Sequence, residues 1–340
     1  MEIGMLYKGE GVHSAHHGFA NAINADLVDC NGPRQLNSDS LLTDISSITT
    51  IPSYDVYISE GSQPLYTSCL KSMMDRDSKL IYLCADHGLF QLGKHSFSGS
   101  SPLKTLIGKF GTGIVKIIGE FTIDGVIAIS EFAKEYCQEA LGDKVPIRTA
   151  TPYIQPDIYQ ALKKVNPSIN SNTAVTIARN GWYKGIDLLV EAWPQVRHSY
   201  PDATLHIIGK GHPKRYGDIS GVTQHGYVEN LETILKNASL YIQPSRVDGF
   251  GVSVVEGMIA GLPAIVTKTT GAKMAVRRVD ENLLCDPTPD SLASTIINYF
   301  NMSLPNRQER STNSRQVASN YNQEAKLPEF VEAFSDLVEI

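Results

Sequence analysis

Arg179 and Lys184 stand five residues apart in Ala178-Arg179-Asn180-Gly181-Trp182-Tyr183-Lys184-Gly185, directly after an apolar run. A strand followed by a short loop and a helix aims its carboxyl end at the ligand crevice of an open α/β sheet. Two cations placed there suit a diphosphate. Without a metal, such a leaving group needs about two positive charges and nearby helix N-termini. The competing reading is a surface arginine and an ordinary helix lysine, and spacing alone does not separate the two.

A second constellation runs Gln243-Pro244-Ser245-Arg246-Val247-Asp248-Gly249-Phe250-Gly251 and continues to Glu256. Gly249 and Gly251 bracket Phe250, and small residues let backbone N–H groups approach a phosphate or a sugar hydroxyl. Glu256 sits among Val255, Gly257 and Met258. A carboxylate buried there needs donors, because an unpaired one costs several kcal/mol. A pair of ribose hydroxyls would serve, and so would a backbone amide or a lysine.

Three further motifs are less specific. Cys84-Ala85-Asp86-His87-Gly88 follows an apolar strand; its His87 could orient a substrate or share a proton, and the same pattern also makes a capped turn. The loop Lys8-Gly9-Glu10-Gly11-Val12-His13-Ser14 is Gly-rich and leads into a helix, but Ser14 leaves the dinucleotide fingerprint incomplete. Asp75-Arg76-Asp77 has the spacing of a metal-binding acid pair, yet it falls between a helix and a strand, where a solvated turn is expected. No metal site is expected elsewhere.

The elements that must position these residues follow a βαβ rhythm. Strands are expected at 2–7, 53–59, 79–84 and 125–129, with helices near 14–24, 64–74, 102–119 and 131–141. The rhythm breaks over 152–172, which holds Pro152, Pro156 and Pro167 and reads as a linker. It restarts with strands at 173–178, 203–208, 240–243, 264–267 and 282–285, and helices after Lys184 and near 229–237, 251–260, 289–301 and 306–338. Such alternation is satisfied by parallel sheets covered on both faces. Two α/β units result, and the crevice between them is the expected site.

Composition narrows the classes. The 340 residues carry a formal net charge of −6 and are 42 % hydrophobic, as a globular chain should be. No run approaches the ~20 apolar residues of a membrane span. The mild acidity gives no general attraction for nucleic acid. Five scattered cysteines without CxxC spacing suggest reduced thiols in a cytosol. The residues after Met1 lack a basic, then apolar, leader pattern, so no secretory signal is expected. Between Asp86 and Glu120 there is no acidic residue, while Lys94, Lys104, Lys109 and Lys116 lie among apolar positions. Residues 102–119 could therefore contact an anionic membrane, or form a core-facing helix with solvated lysines.

Taken in order, these segments resemble the retaining nucleotide-sugar glycosyltransferases of family 4 (glycosyl transferases group 1), which have the GT-B fold. The likeness is densest from Thr173 to Gly271: Ala178-Arg179, Lys184-Gly185-Ile186-Asp187-Leu188-Leu189, Gly209-Lys210-Gly211, Gly226-Tyr227-Val228, Pro244-Ser245, Gly249-Phe250-Gly251, Glu256 and Gly261-Leu262-Pro263. The N-terminal half is similar only in outline, through Asp86-His87-Gly88 and Ala128-Ile129-Ser130-Glu131-Phe132.

The resemblance implies an α/β chain of two Rossmann-like domains facing across a cleft. Residues 1–152 would form the acceptor side, 153–172 the linker and 173–304 the nucleotide-sugar domain, with helices at 305–340 packing back towards the first domain. It assigns the donor diphosphate to Arg179 and Lys184, the ribose to Glu256, and the sugar to Gly249, Phe250 and Gly251, with Gly11 contributing from the first loop. His87 lies near the reacting sugar, and Asp248 takes the place of the first glutamate of the family's E-x7-E pattern. The segment Thr270-Gly271-Ala272-Lys273 lacks the acid common after that glycine.

The implied reaction moves a sugar from a UDP- or GDP-sugar to an acceptor hydroxyl, retains anomeric configuration and needs no metal or other cofactor. The acceptor could be a lipid-linked glycan, a polysaccharide or a protein; the basic stretch 86–120 tilts the reading towards a lipid-linked or cell-surface glycan, met in the cytoplasm at the inner membrane face. The rival readings are a non-catalytic nucleotide-sugar-binding subunit, a GT-B epimerase or phosphorylase, and a nicotinamide oxidoreductase.

Overall fold

The computed structural model describes residues 1–9, 11–30, 48–75, 77–93, 116–117 and 119–339. The chain divides into two compact units, Met1–Pro152 with Glu324–Ile340, and Tyr153–Gln323.

The first unit contains β1 (Ile3–Tyr7), α1 (Ser14–Ala22), β2 (Asp26–Asp29), β3 (Val56–Glu60), α2 (Leu65–Met74), β4 (Lys79–Cys84), α3 (Gly88–Gly93), β5 (Gly125–Ala128), α4 (Glu131–Leu141) and β6 (Ile147–Thr149). Its six strands are parallel, in the order β2-β1-β3-β4-β5-β6. The central strands are apolar on both faces because helices cover both, so β4 and β5 read as unbroken hydrophobic runs.

The second unit opens with α5 (Pro156–Lys163). It continues with β7 (Thr173–Ile177), α6 (Ile186–Ser199), β8 (Thr204–Ile208), β9 (Val222–Gly226), α7 (Glu232–Leu235) and β10 (Leu240–Gln243). It ends with α8 (Val252–Ile259), β11 (Ala264–Thr267), α9 (Lys273–Arg277), β12 (Leu284–Cys285), α10 (Pro289–Phe300) and α11 (Leu304–Ala318). The strand order is β12-β11-β10-β7-β8-β9, again all parallel. Chain order reverses between β7 and β10, so these two hydrogen-bonded neighbours form the topological switch point of the sheet.

The structure differs from the sequence reading at several places. Residues 153–172, expected as a linker, carry α5, and Ile154 pairs with Asn322 within the second unit. Pro156 begins that helix rather than breaking the chain, since a first helical position needs no N–H donor. The helical stretch expected over 306–338 is two helices, α11 and α12 (Gln323–Glu339), separated at Ser319–Asn322. α12 belongs almost wholly to the first unit. Its Phe330 ring stacks on Phe19 at 4.1 Å, and Lys79 Nζ donates to Val338 O at 2.7 Å. Strands β2, β6 and β9 were not expected. The basic helix expected at 102–119 lies almost entirely outside the described residues, as does Arg76.

Candidate functional site

The switch point gathers the first two constellations. β7 ends at Ile177, and Ala178 and Arg179 follow at its carboxyl end, with the Arg179 side chain exposed. Trp182–Lys184 form a single 3-10 turn, and Gly185 then turns left-handed (φ 65°) before α6 begins. A Cβ on Gly185 would meet Pro244 O at 2.0 Å. Only glycine lets the Lys184 turn approach the exit of β10 this closely.

That approach brings two loops into contact through side chains. Lys184 Nζ donates to Asp248 Oδ2 at 2.7 Å, in a partly buried ion pair. Burial alone would lower the Lys184 pKa. The Asp248 charge and hydrogen bond outweigh it and hold the ammonium above the ordinary lysine value. Arg246 makes a second tie. Its fork donates to both Asp187 oxygens at 2.7 Å and to Trp182 O at 2.8 Å, with its plane over the Trp182 ring. This fork holds the Asp187 carboxyl below the usual carboxylate range.

The β10 loop is also laced to the loop after β11. Asp248 N donates to Thr269 O at 3.0 Å, Gly271 N to Asp248 O at 2.9 Å and Ala272 N to Phe250 O at 2.7 Å. Thr267 Oγ1 donates to Ser245 O at 2.6 Å. Thr270-Gly271-Ala272 therefore works as a backbone brace for the Asp248–Phe250 segment. The Phe250 ring is buried against Tyr321, so this position can offer a ligand its backbone only. Gly249 and Gly251 flank it, and Gly251 turns left-handed (φ 88°) to launch α8.

Glu256 lies in α8 between the fully buried Val255 and Met258. Among the described residues, none donates a hydrogen bond to its carboxylate or forms an ion pair with it. Burial pushes its pKa up to about 7. The helix that carries it is clamped at its far end. Arg315 donates to Ile259 O and Ala260 O at 2.9 Å each, and also to Lys163 O and Val165 O, so one guanidinium caps α8 and α5 together.

His87 and Gly11 belong to the first unit. Asp86 caps the turn beside His87: its Oδ2 accepts from Ser62 N and Oγ at 2.7 Å, and its Oδ1 from Gly88 N at 2.9 Å. Gly9 and Gly11 both turn left-handed after β1. His13 caps α1 through Ala15 N, and burial next to His16 lowers its pKa to about 4. His16 Nδ1 lies 2.7 Å from Glu60 Oε1 at the end of β3. Asp75, the first acid of the Asp-x-Asp motif, accepts from Tyr57 and Lys71 and is a structural anchor rather than a solvated turn residue. Among the described residues no group of three or more His, Cys, Asp or Glu is placed to hold a metal, and no helix is long and apolar enough to cross a membrane.

Sequence reasoning missed Asp187, Arg246, Gln243 and Arg315. The first three lay inside quoted motifs, but only the folded loops reveal which residues they bond.

Residues 171–301 match the profile of the family described as Glycosyl transferases group 1. A curated relative from Haemophilus influenzae, an uncharacterized glycosyltransferase, is 24 % identical over 219 residues, covering 61 % of this chain and 58 % of its own length. A phosphatidyl-myo-inositol mannosyltransferase of Mycobacterium leprae is 26 % identical over 182 residues, covering 50 % of this chain and 48 % of its own. The matched stretch thus spans about half the length of these relatives. Among solved structures, Anabaena HepE in complex with UDP and glucose superposes with a TM-score of 0.76 at 17 % identity, over 99 % of this chain and 100 % of that one. The fold is GT-B, and the likeness to glycosyl transferases group 1 expected from the sequence is found over residues 171–301.

Proposed function

We propose that the protein is a glycosyltransferase that takes a sugar from a nucleoside-diphosphate sugar and passes it to an acceptor hydroxyl, with retention at the anomeric carbon. The observation that carries this reading is Glu256: a half-buried carboxylate on α8, without a protein donor among the described residues, on the helix that follows the strand bordering the Lys184 loop. A ligand that brings hydroxyl donors to the acid and a diphosphate to the cations is a nucleoside-diphosphate sugar.

In the proposed reaction the bond from the anomeric carbon to the diphosphate oxygen breaks. Its electron pair leaves with the diphosphate, which gains charge. Arg179 and Lys184 neutralise that charge with side-chain cations in place of a metal. Asp248 keeps Lys184 protonated and aimed. Backbone groups around Gly249 and Gly251 meet the sugar. The acceptor hydroxyl attacks from the face the leaving group departs, and its proton passes to the diphosphate oxygen. His87 is assigned to the reacting sugar and Gly11 to the donor from the first unit. The diphosphate is already a good leaving group, so no paired general acid is required as in glycoside hydrolysis.

The acceptor we propose is a lipid-linked or cell-surface glycan. The lysine-rich stretch 94–116 and the lipid-directed transferases among the relatives support it. UDP- and GDP-sugars remain the two donor classes; UDP is favoured by analogy with HepE.

The test is a thermal-shift panel of UDP- and GDP-sugars, followed by magnetic resonance of the product's anomeric centre. Stabilisation by one nucleotide sugar and a retained anomer would support the proposal; an inverted anomer would overturn the mechanism. A binding subunit without transfer has one observation in its favour, the engagement of Asp248 with Lys184. It predicts nucleotide-sugar binding and no sugar transfer to any acceptor.

A further inference from the structure

We propose that Gln243 is a positioning residue of the donor site: its buried carboxamide sets the Asp248 carboxylate, and Asp248 in turn sets the Lys184 ammonium. This inference rests on the assignment of Lys184 to the donor diphosphate. Gln243 ends β10 with no solvent exposure. Its amide orientation is dictated by its neighbours. Asp248 Oδ2 can only accept, so Nε2 faces it at 3.3 Å, with Ser245 Oγ as a second acceptor at 2.8 Å. Oε1 then points the other way, accepting from Tyr241 OH at 2.7 Å with Ser253 Oγ at 3.4 Å. Ser253 Oγ also lies 3.3 Å from Ile177 O, the last residue of β7, so its single proton serves one of these two acceptors. The carboxamide thus bridges the Asp248 carboxylate on one side and the Tyr241 and Ser253 hydroxyls on the other.

Filling space does not require this residue, because methionine has a similar volume. What the carboxamide adds is a neutral donor on the same oxygen that Lys184 uses. With Oδ2 held from two directions, the carboxylate cannot rotate away, and the ammonium keeps one position. Asp248 is one methylene shorter than the glutamate the family pattern places there. A fixed rotamer gives the shorter arm a defined reach. The titratable groups facing Gln243 are Tyr241 from its own strand and Asp248 from the loop, with Lys184 bonded to the same Asp248 oxygen and Glu256 on α8 close enough to act on Tyr241.

The experiment is calorimetric titration of UDP-glucose at about pH 6 and about pH 8.5 into the wild type, Gln243→Met, Gln243→Glu and Lys184→Ala, with melting temperatures alongside. Gln243→Met removes the donor and is expected to weaken binding about tenfold at both pH values. In Gln243→Glu the introduced carboxyl must share a proton with Asp248. Binding relative to wild type is therefore expected to be near normal at the lower pH and about tenfold weaker at the higher one. A merely structural role would lower both melting temperatures and leave that ratio independent of pH. Wild-type affinity in Gln243→Met, or a pH-independent ratio in Gln243→Glu, would overturn the inference. Undiminished binding in Lys184→Ala would instead overturn the donor-site reading beneath it.

Discussion

Lys184 and Asp248, 64 residues apart in the chain, meet at 2.7 Å across the switch point of the second sheet. The contact exists because Gly185 has no side chain to keep the two loops apart. It makes the lysine a fixed charge instead of a mobile surface group. A fixed cation loses no solvation or conformational freedom when a diphosphate arrives, which is the condition for stabilising a leaving group.

Replacing that cation should be costly. Lys184→Ala is expected to lose about 2–4 kcal/mol of transition-state stabilisation, or roughly 30- to 1000-fold in kcat/KM. Arg179→Ala should lose a comparable amount. Steady-state kinetics with the donor identified by thermal shift check this, and near-normal rates in both variants would remove the diphosphate assignment.

Removing the counter-charge should act through pH. The raised Lys184 pKa means that the pair contributes stability in full below the unfolded lysine value, and that this is lost only as pH climbs through the higher folded value. Asp248→Asn removes the charge that chiefly opposes burial, and the ammonium pKa falls. Nucleotide-sugar affinity in that variant should then decline on raising the pH at values where the wild type is unaffected. Calorimetry across the alkaline range shows whether it does.

Glu256 behaves in the opposite sense. Its folded pKa of about 7 lies above the ordinary 4.5, so the folded state binds a proton more tightly than the unfolded one. The charged form therefore destabilises the fold progressively from pH 4.5 to 7 and fully above that, by at most about 3 kcal/mol. Glu256→Gln should raise the melting temperature at pH 8 and change it little at pH 4. A ligand that donates hydroxyl hydrogen bonds prefers the carboxylate, so UDP-glucose should bind more tightly as pH rises through about 7 in the wild type, and this dependence should flatten in Glu256→Gln. Equal pH profiles for the two proteins would detach Glu256 from the ribose.

Gly185→Ala tests the geometry rather than the charge. A Cβ would strike Pro244 O, and φ is 65°. The substitution is expected to cost about 2–4 kcal/mol of stability. It should also weaken nucleotide binding, because the Lys184 turn must back away. Denaturant unfolding and calorimetry on the same sample separate the two effects.

In the first unit, Phe330→Ala removes a fully buried ring from α12 and with it the stack on Phe19. A loss of about 3–5 kcal/mol is expected from such a cavity. Thermal denaturation checks it, and a change below about 1 kcal/mol would show that α12 does not anchor this unit.

Much of this architecture was legible in the residue order. Buried central strands such as Leu240–Gln243 and Ala264–Thr267 announce themselves as continuous apolar runs, since both faces are covered. β2, β6 and β9 did not. All three are sheet edges, half-exposed, and carry polar residues such as Asp26, Arg148 and Gln224. Their strand character comes from a neighbour's hydrogen bonds, which local composition does not encode. In the same way, the prolines of 152–172 signalled a break, but burial of Leu162 and the start offered by Pro156 made α5 there.

The residue order alone determined the α/β alternation, the two cations after β7, the small-residue loop after β10 and an acid embedded in apolar helix. These depend on nearest-neighbour spacing and on which side chains tolerate burial. Tertiary structure alone decided which groups meet: Lys184 with Asp248, Arg246 with Asp187, Gln243 with Asp248, Arg315 with two helix ends, and Glu256 with no protein partner among the described residues. Hydrogen bonds and ion pairs act over about 3 Å, and groups far apart in the chain reach that range only after β10 has paired beside β7.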